Sequence, residues 1–185
     1  MVKTIGTAPE NLVMGAINIF LEDGKKLQKK IIKKFNLSNK SKILDVGCGK
    51  AFLLFEIKKI LPKITIVGFD ISKHAISNAP TEIRSNLFIY DAKNKYPFIK
   101  NKFDLAISTG CFHNLNIYDL KNSLKEIKRV SKQTYLMVES YRNVKELFNL
   151  QCWALTCESF FSKKEWLWVF KEYKYNRHYE FIYFT

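Results

Sequence analysis

A chain of 185 residues, 47% of them hydrophobic, is sized for one domain with a real core, which excludes a disordered protein. Its 31 basic and 17 acidic residues leave a formal charge of +14, which raises a nucleic-acid or anionic-membrane surface as a reading. Only four of the basic residues are arginines (Arg84, Arg129, Arg142 and Arg177) and the others are lysines spread along the chain. Phosphate recognition favours the arginine fork, so this charge reads as a solvated surface and disfavours a nucleic-acid partner.

In chain order, residues 1–36 form an N-terminal helical segment ahead of the rest of a single domain spanning 1–185. Within it, "ENLVMGAINIF" is apolar enough for a helix packed on the domain or a flap over a site. "LEDGKKLQKKIIKKF" places Leu27, Ile31, Ile32 and Phe35 at helical spacing, with lysines on the other face. Strands and helices then alternate. "KILDV" is a strand, "AFLLFEIKKIL" a helix, "ITIVGFD" a strand, and "SKHAISNA" a short helix with Ser72 as N-cap. "NLFIYD" is a strand, followed by the loop "AKNKYPFIKNK". "FDLAIST" is a fourth strand. A helix near "IYDLKNSLKEIKRV" carries Leu120, Leu124, Ile127 and Val130 on one face, and "TYLMVE" is a fifth strand.

Beyond Glu139 the pattern loosens. "NVKELFNLQCWALTCESFF" begins as a helix and turns aromatic, "SKKEWLWVFKEY" is a helix capped by Ser162, and "HYEFIYF" is a final strand. Apolar strands separated by helices imply an α/β fold: a three-layer sandwich with a mostly parallel sheet covered on both faces.

The four cysteines, Cys48, Cys111, Cys152 and Cys157, form no C-x-x-C pair. The histidines His74, His113 and His178 are scattered, so no metal site is expected. Free thiols in a reducing compartment are the simple reading. No apolar run reaches the ~18 residues that span a bilayer, and no signal-peptide pattern opens the chain. A soluble, cytoplasmic protein without a membrane partner is expected; nothing in the sequence specifies an oligomeric state.

The informative stretch is "KILDVGCGKAFLLFEI". Asp45, Gly47 and Gly49 stand where the first strand gives way to a helix, the place where open parallel sheets bind ligands. Glycine there tolerates positive φ and lets backbone approach a ligand. A G-x-G-x-x-G dinucleotide fingerprint would put Phe52 at its last glycine, where bulk opposes a pyrophosphate. Asp45 would also repel a pyrophosphate, but it suits a cationic amino group.

With Asp45 included, D-V-G-C-G-K-A resembles the first motif of the class I, Rossmann-like S-adenosylmethionine-dependent methyltransferases, with Ala51 at the third glycine position. The resemblance runs on for about a hundred residues. It implies a ribose-binding acid at Asp70, an apolar adenine contact at Ile71, and adenine recognition by Asp91 and the Ala92 N–H. Ser108, ending the fourth strand, joins this cofactor set, and Cys48 needs only to be small. The implied cofactor is S-adenosyl-L-methionine, with S-adenosyl-L-homocysteine as product.

After the fourth strand, "STGCFHNL" lacks the Asn/Asp-Pro-Pro-aromatic, Pro-Cys and double-glutamate signatures of the amino-adenine or amino-cytosine, cytosine-C5 and protein-arginine enzymes. What remains resembles small-molecule methyltransferases acting on oxygen or nitrogen. The tail is similar to that of bacterial relatives, some tied to surface sugars. An RNA methyltransferase, or a binding module without catalysis, is the alternative. His113, just past the fourth strand, is the expected catalytic base; Asn114, Glu139, Tyr141 and Arg142 are the expected substrate contacts. Trp153, Phe160, Phe161, Trp166 and Trp168 are core or pocket wall. The resemblance also implies two closing strands where the tail shows one, so either "CWALTCES" supplies another or the sheet is short at one edge.

Overall fold

The computed structural model describes residues 26–185; the expected helix or flap at 10–20 lies outside them. The described chain starts in a helix, α1 (26–34). The strands are β1 (Lys42–Val46), β2 (Thr65–Asp70), β3 (Leu87–Ile89), β4 (Phe103–Thr109), β5 (Ser131–Glu139) and β6 (His178–Ile182). They form one sheet in the order β3-β2-β1-β4-β5-β6, with every pair parallel. The chain steps outward from β1 to β3, then crosses back to lay β4 on the other side of β1. That reversal opens a crevice at the carboxyl ends of β1 and β4.

Strand periodicity sorts the core into two faces. Ile43, Ile66, Leu105 and Ile107 pack against Ile31 of α1, Leu54 and Ile57 of α2 (Phe52–Ile60), and Ile76 of α3 (Lys73–Ser77). Leu44, Val46, Ala106, Leu136 and Val138 face the other way, onto Leu120, Leu124 and Ile127 of α5 (Ile117–Val130) and Trp166, Val169 and Phe170 of α7 (Lys163–Glu172). The two helical layers cover a buried parallel sheet, as the unbroken apolar strands required.

Caps set the helix starts. The Ser72 hydroxyl accepts the Ala75 N–H, and the Asn116 side chain accepts those of Tyr118 and Asp119 at the head of α5. Ser162 and Glu165 form a full capping box on α7. From α7 the buried Trp166 donates its indole N–H to the Glu139 carbonyl at 3.0 Å, which pins the end of β5. The loop before β4 is tied to α5 by Arg129, which donates to the carbonyls of Tyr96 and Phe98, and by Glu126, which accepts the Tyr96 N–H.

Three details differ from the sequence reading. A short helix, α4 (Thr81–Arg84), follows Pro80, and β5 starts three residues before "TYLMVE". "CWALTCES" adds no strand: it ends α6 (Val144–Trp153) and continues as turn and loop, so among the described residues no further strand follows β6 at that edge. Among the aromatics, Trp166 is core and Trp168 is exposed. Ser162→Ala is expected to lower stability by about 1 kcal/mol through loss of the capping hydroxyl, read as a lower urea midpoint with an unchanged slope.

Candidate active site

The β1–α2 turn is built by left-handed backbone. Gly47 has φ +71°, Gly49 φ +53° and Ala51 φ +56°. The Gly47 and Cys48 amides both donate to the Phe69 carbonyl, fastening the turn to the end of β2. A side chain at Gly47 would collide with Cys111, whose Sγ lies 2.3 Å from where a Cβ would sit. Ala51 occupies the third glycine position at a backbone cost of about 1–2 kcal/mol. Its methyl is buried in the core, however, and that burial offsets much of the strain.

Two carboxylates stand at adjacent strand ends in opposite circumstances. Asp70 accepts the Gly49 and Ser72 amides, one on each oxygen, both at 2.8 Å. It is therefore held in one orientation while keeping acceptor capacity. Asp45 is 2% exposed and its Oδ1 has no hydrogen-bond partner. Burial, and then the Asp70 charge, push its pKa up to about 8. A buried carboxyl without a partner is a fitting counter-group for a cation.

A cleft of about 480 Å³ opens beside them. Gly47, Asp70 and Ile71 form its β1–β2 side, and Tyr90, Asp91, Ala92 and Lys93 its β3 side. Gly110, Cys111, Asn114 and Leu115 contribute from beyond β4, with Asn116 and Asp119 from the head of α5. Thr156 and Glu158, from the loop after α6, complete the wall. Ile71 is 67% exposed there, an apolar side chain presented to a ligand face. Asp91 is engaged by Lys93, whose Nζ lies 3.2 Å away and whose amide it also accepts.

Of the expected cofactor set, Gly47, Asp70, Ile71, Asp91 and Ala92 line the cleft, as does Asn114 from the substrate set; Asp45 does not line it and lies buried at the end of β1. Gly49 contributes its amide to Asp70. Cys48 turns toward Gly68, behind the turn. Ser108 is corrected: it is fully buried and its hydroxyl donates to the Val46 carbonyl, so it joins β4 to β1 instead of facing a ligand. Arg142 is also corrected. Glu146, one helical turn on, binds its guanidinium, which lies over the Tyr183 ring, so it is not free for an acceptor anion. Tyr141 forms a backbone bridge to Ser162 and does not line the cleft.

His113 and Glu139 do not line the cleft but meet directly behind it. His113 Nε2 lies 3.2 Å from Glu139 Oε2, and the two residues are 3% and 4% exposed. Of the lining residues, the sequence reading left Tyr90, Gly110, Leu115, Asn116 and Asp119 unassigned, and it also missed Lys93, Cys111, Thr156 and Glu158. Lys93 was findable as a base two residues from an acid at a strand end. Cys111, Thr156 and Glu158 carry no spacing signal.

The family match decides what this cleft belongs to: a methyltransferase-domain model covers residues 37–179. The chain belongs to the class I, Rossmann-like methyltransferase-domain family. Ribosomal RNA small subunit methyltransferase C of Erwinia tasmaniensis is 34% identical over 77 residues, 40% of this chain and 22% of that protein. Arginine-hydroxylase NDUFAF5 of Mus musculus is 32% identical over 111 residues, 59% of this chain and 31% of that protein. The chain thus spans about a fifth to a third of these curated relatives.

Among solved structures, a putative methyltransferase of an antibiotic biosynthesis pathway in Anabaena variabilis superposes with a TM-score of 0.65. It shares 18% identity, with 82% of this chain and 62% of that one covered. A SAM-dependent methyltransferase of Aquifex aeolicus gives 0.57 at 23% identity, covering 82% and 86%. These show the same fold. Among the described residues, no helix is long and apolar enough to cross a membrane and no acid, cysteine and histidine cluster suits a metal.

The methyltransferase's Asp45 carries a stability signature. Its folded pKa of about 8 exceeds the ordinary value of 3.8, so folding is favoured most below pH 4 and loses stability as pH rises through 8. Asp45→Asn is expected to unfold at a higher temperature than the parent at pH 8.5, with the difference shrinking toward pH 4, measured by thermal melts without ligand.

Proposed function

We propose that this methyltransferase uses S-adenosylmethionine to methylate oxygen or nitrogen of a small-molecule acceptor. When bound, the donor supplies a methyl group on a positively charged sulfur. The residues present fit it: Asp45 is an unpartnered acid suited to its amino group, Asp70 a fixed acceptor pair suited to ribose hydroxyls, and Ile71 an apolar face suited to adenine. Methyl transfer of this kind depends mainly on positioning and exclusion of water.

One observation carries the small-molecule reading. On a chain of charge +14, the cleft is acidic, lined by Asp70, Asp91, Asp119 and Glu158, while its one basic residue, Lys93, is already paired with Asp91. Such a lining disfavours a polyphosphate backbone and tolerates a neutral or cationic metabolite. The second reading, an RNA acceptor, is supported by the basic surface and by the likeness to an enzyme named for ribosomal RNA.

The test supplies methyl-labelled S-adenosylmethionine with a pool of small metabolites or with total RNA. Label is expected on a small metabolite resolved from the unreacted donor by chromatography; incorporation into RNA at physiological salt would favour the second reading. Asp70→Ala is expected to weaken S-adenosylhomocysteine binding about tenfold or more, since each lost charge-assisted bond is worth about 1.5–3 kcal/mol.

A further inference from the structure

Behind the cleft, the structure buries two ionisable groups against each other and leaves both short of partners. His113 sits on the turn Phe112–Asn114, between two residues that line the cleft, Cys111 and Asn114. A methyl group placed on Gly110, another lining residue, would lie 3.8 Å from His113 Cε1, the carbon between the two ring nitrogens. Nε2 faces Glu139, but the approach lacks the alignment of a full hydrogen bond, and both Nδ1 and Oε2 are left unpartnered. Buried polar atoms are rarely abandoned in this way, and a pair of them beside a ligand cleft marks a place for a polar ligand group.

The cover over this pair is a strap, residues 154–159. The Glu158 and Ser159 amides donate to the His113 carbonyl, the Ser159 hydroxyl to Leu115, and the Thr156 hydroxyl to Asn114. The strap is held by polar bonds and turns its apolar Leu155 outward, 89% exposed. Water can replace those bonds, and Ala154 is the strap's only buried apolar residue, so lifting it would uncover little apolar surface. Cys157 on the strap lies near enough to Glu139 to feel its charge, and Cys111 lies on the turn. Burial pushes both thiols up to about 12, so neither competes as a base.

We propose that His113 and Glu139 act as one unit in methyl transfer, with the Glu139 carboxylate holding Nε2–H of the ring and the bare Nδ1 taking the proton of an acceptor hydroxyl or amine beneath the strap. This rests on the methyl-transfer reading. The acceptor lone pair forms the new bond to the methyl carbon while the carbon–sulfur bond breaks and its electrons stay on sulfur. The acceptor proton passes to Nδ1. Positive charge moves from sulfur to the imidazolium, beside the Glu139 carboxylate, and the proton leaves to water when the strap reopens. His113 is the catalytic residue of the pair and Glu139 its positioning residue.

Burial holds His113 down at about 4 and raises Glu139 to about 7. The ring is therefore neutral near neutrality, and its tautomer follows Glu139. Above pH 7 the ionised carboxylate holds the proton on Nε2 and Nδ1 is free. Below pH 7 the protonated carboxyl donates to Nε2, and the ring proton moves to Nδ1.

Nitrogen NMR of the histidine rings tests this without an acceptor, with His74→Gln and His178→Gln assigning the signals by elimination. The expected result is Nε2–H at pH 8, with a switch to Nδ1–H as pH falls through about 7. Glu139→Gln, whose carbonyl still accepts, should keep Nε2–H throughout, and Glu139→Leu should leave mixed tautomers. In Thr156→Ala/Ser159→Ala, diethylpyrocarbonate should modify His113 several-fold faster than in the parent, with His74 unchanged. A ring fixed as Nδ1–H at pH 8, or indifferent to Glu139, overturns the proposal. Failure of S-adenosylhomocysteine to bind would overturn the methyl-transfer reading instead.

Discussion

The site is organised around a carboxyl group that folding leaves without a partner. Asp45 is buried at the end of β1, its Oδ1 unsatisfied, next to a second acid that already holds two amides. A protein alone gains nothing from this arrangement, since desolvating an acid is costly and the neighbouring Asp70 charge adds to the cost. A cationic ligand reverses the balance by offering a charge partner in a poorly screened place. The left-handed turn at Gly47 and Gly49, which Asp70 clamps through the Gly49 amide, and the parallel register of β1 on β2 fix the backbone around that acid.

The same economy of partners separates the functional from the structural acids and bases. Arg142 is satisfied by Glu146 and Arg129 by Glu126, and both brace the fold. Among the described residues, buried side-chain atoms go unsatisfied on Gln28, Tyr96 and Tyr135 and on three acid–base groups, Asp45, Glu139 and His113. These last three occupy the ends of β1 and β5 and the turn after β4. The sheet holds these strand ends rigidly together, whereas the strap over them is tied down by exchangeable polar bonds.

Much of this was legible in the sequence. Continuous apolar runs marked the buried strands, and helical spacing marked α5 to the residue because Asn116 caps it and Val130 ends its apolar face. Acids and glycines at successive strand ends marked Gly47, Asp70 and Asp91, which the structure gathers at the cleft. The misses have physical causes. Four-residue α4 is too short to show a period, and β5 opens with Ser131, Lys132 and Gln133, three polar residues that hide its start. Glu146, in the first turn of α6, reaches back to both the amide and the guanidinium of Arg142 just ahead of the helix cap, and a partner already in place outcompetes an imagined ligand. Thr156 and Glu158 reach the cleft only because an aperiodic loop folds back over the turn at His113, which spacing cannot foretell.

The central claim is that Asp45 waits protonated for a cation. Calorimetry of S-adenosylhomocysteine binding at pH 7, in two buffers of different ionisation enthalpy, measures it directly. With Asp45 near 8 when empty and ionised once paired, close to one proton should be released per ligand bound, and Asp45→Asn should abolish the release. Tight binding with no proton exchanged in either protein would contradict the account.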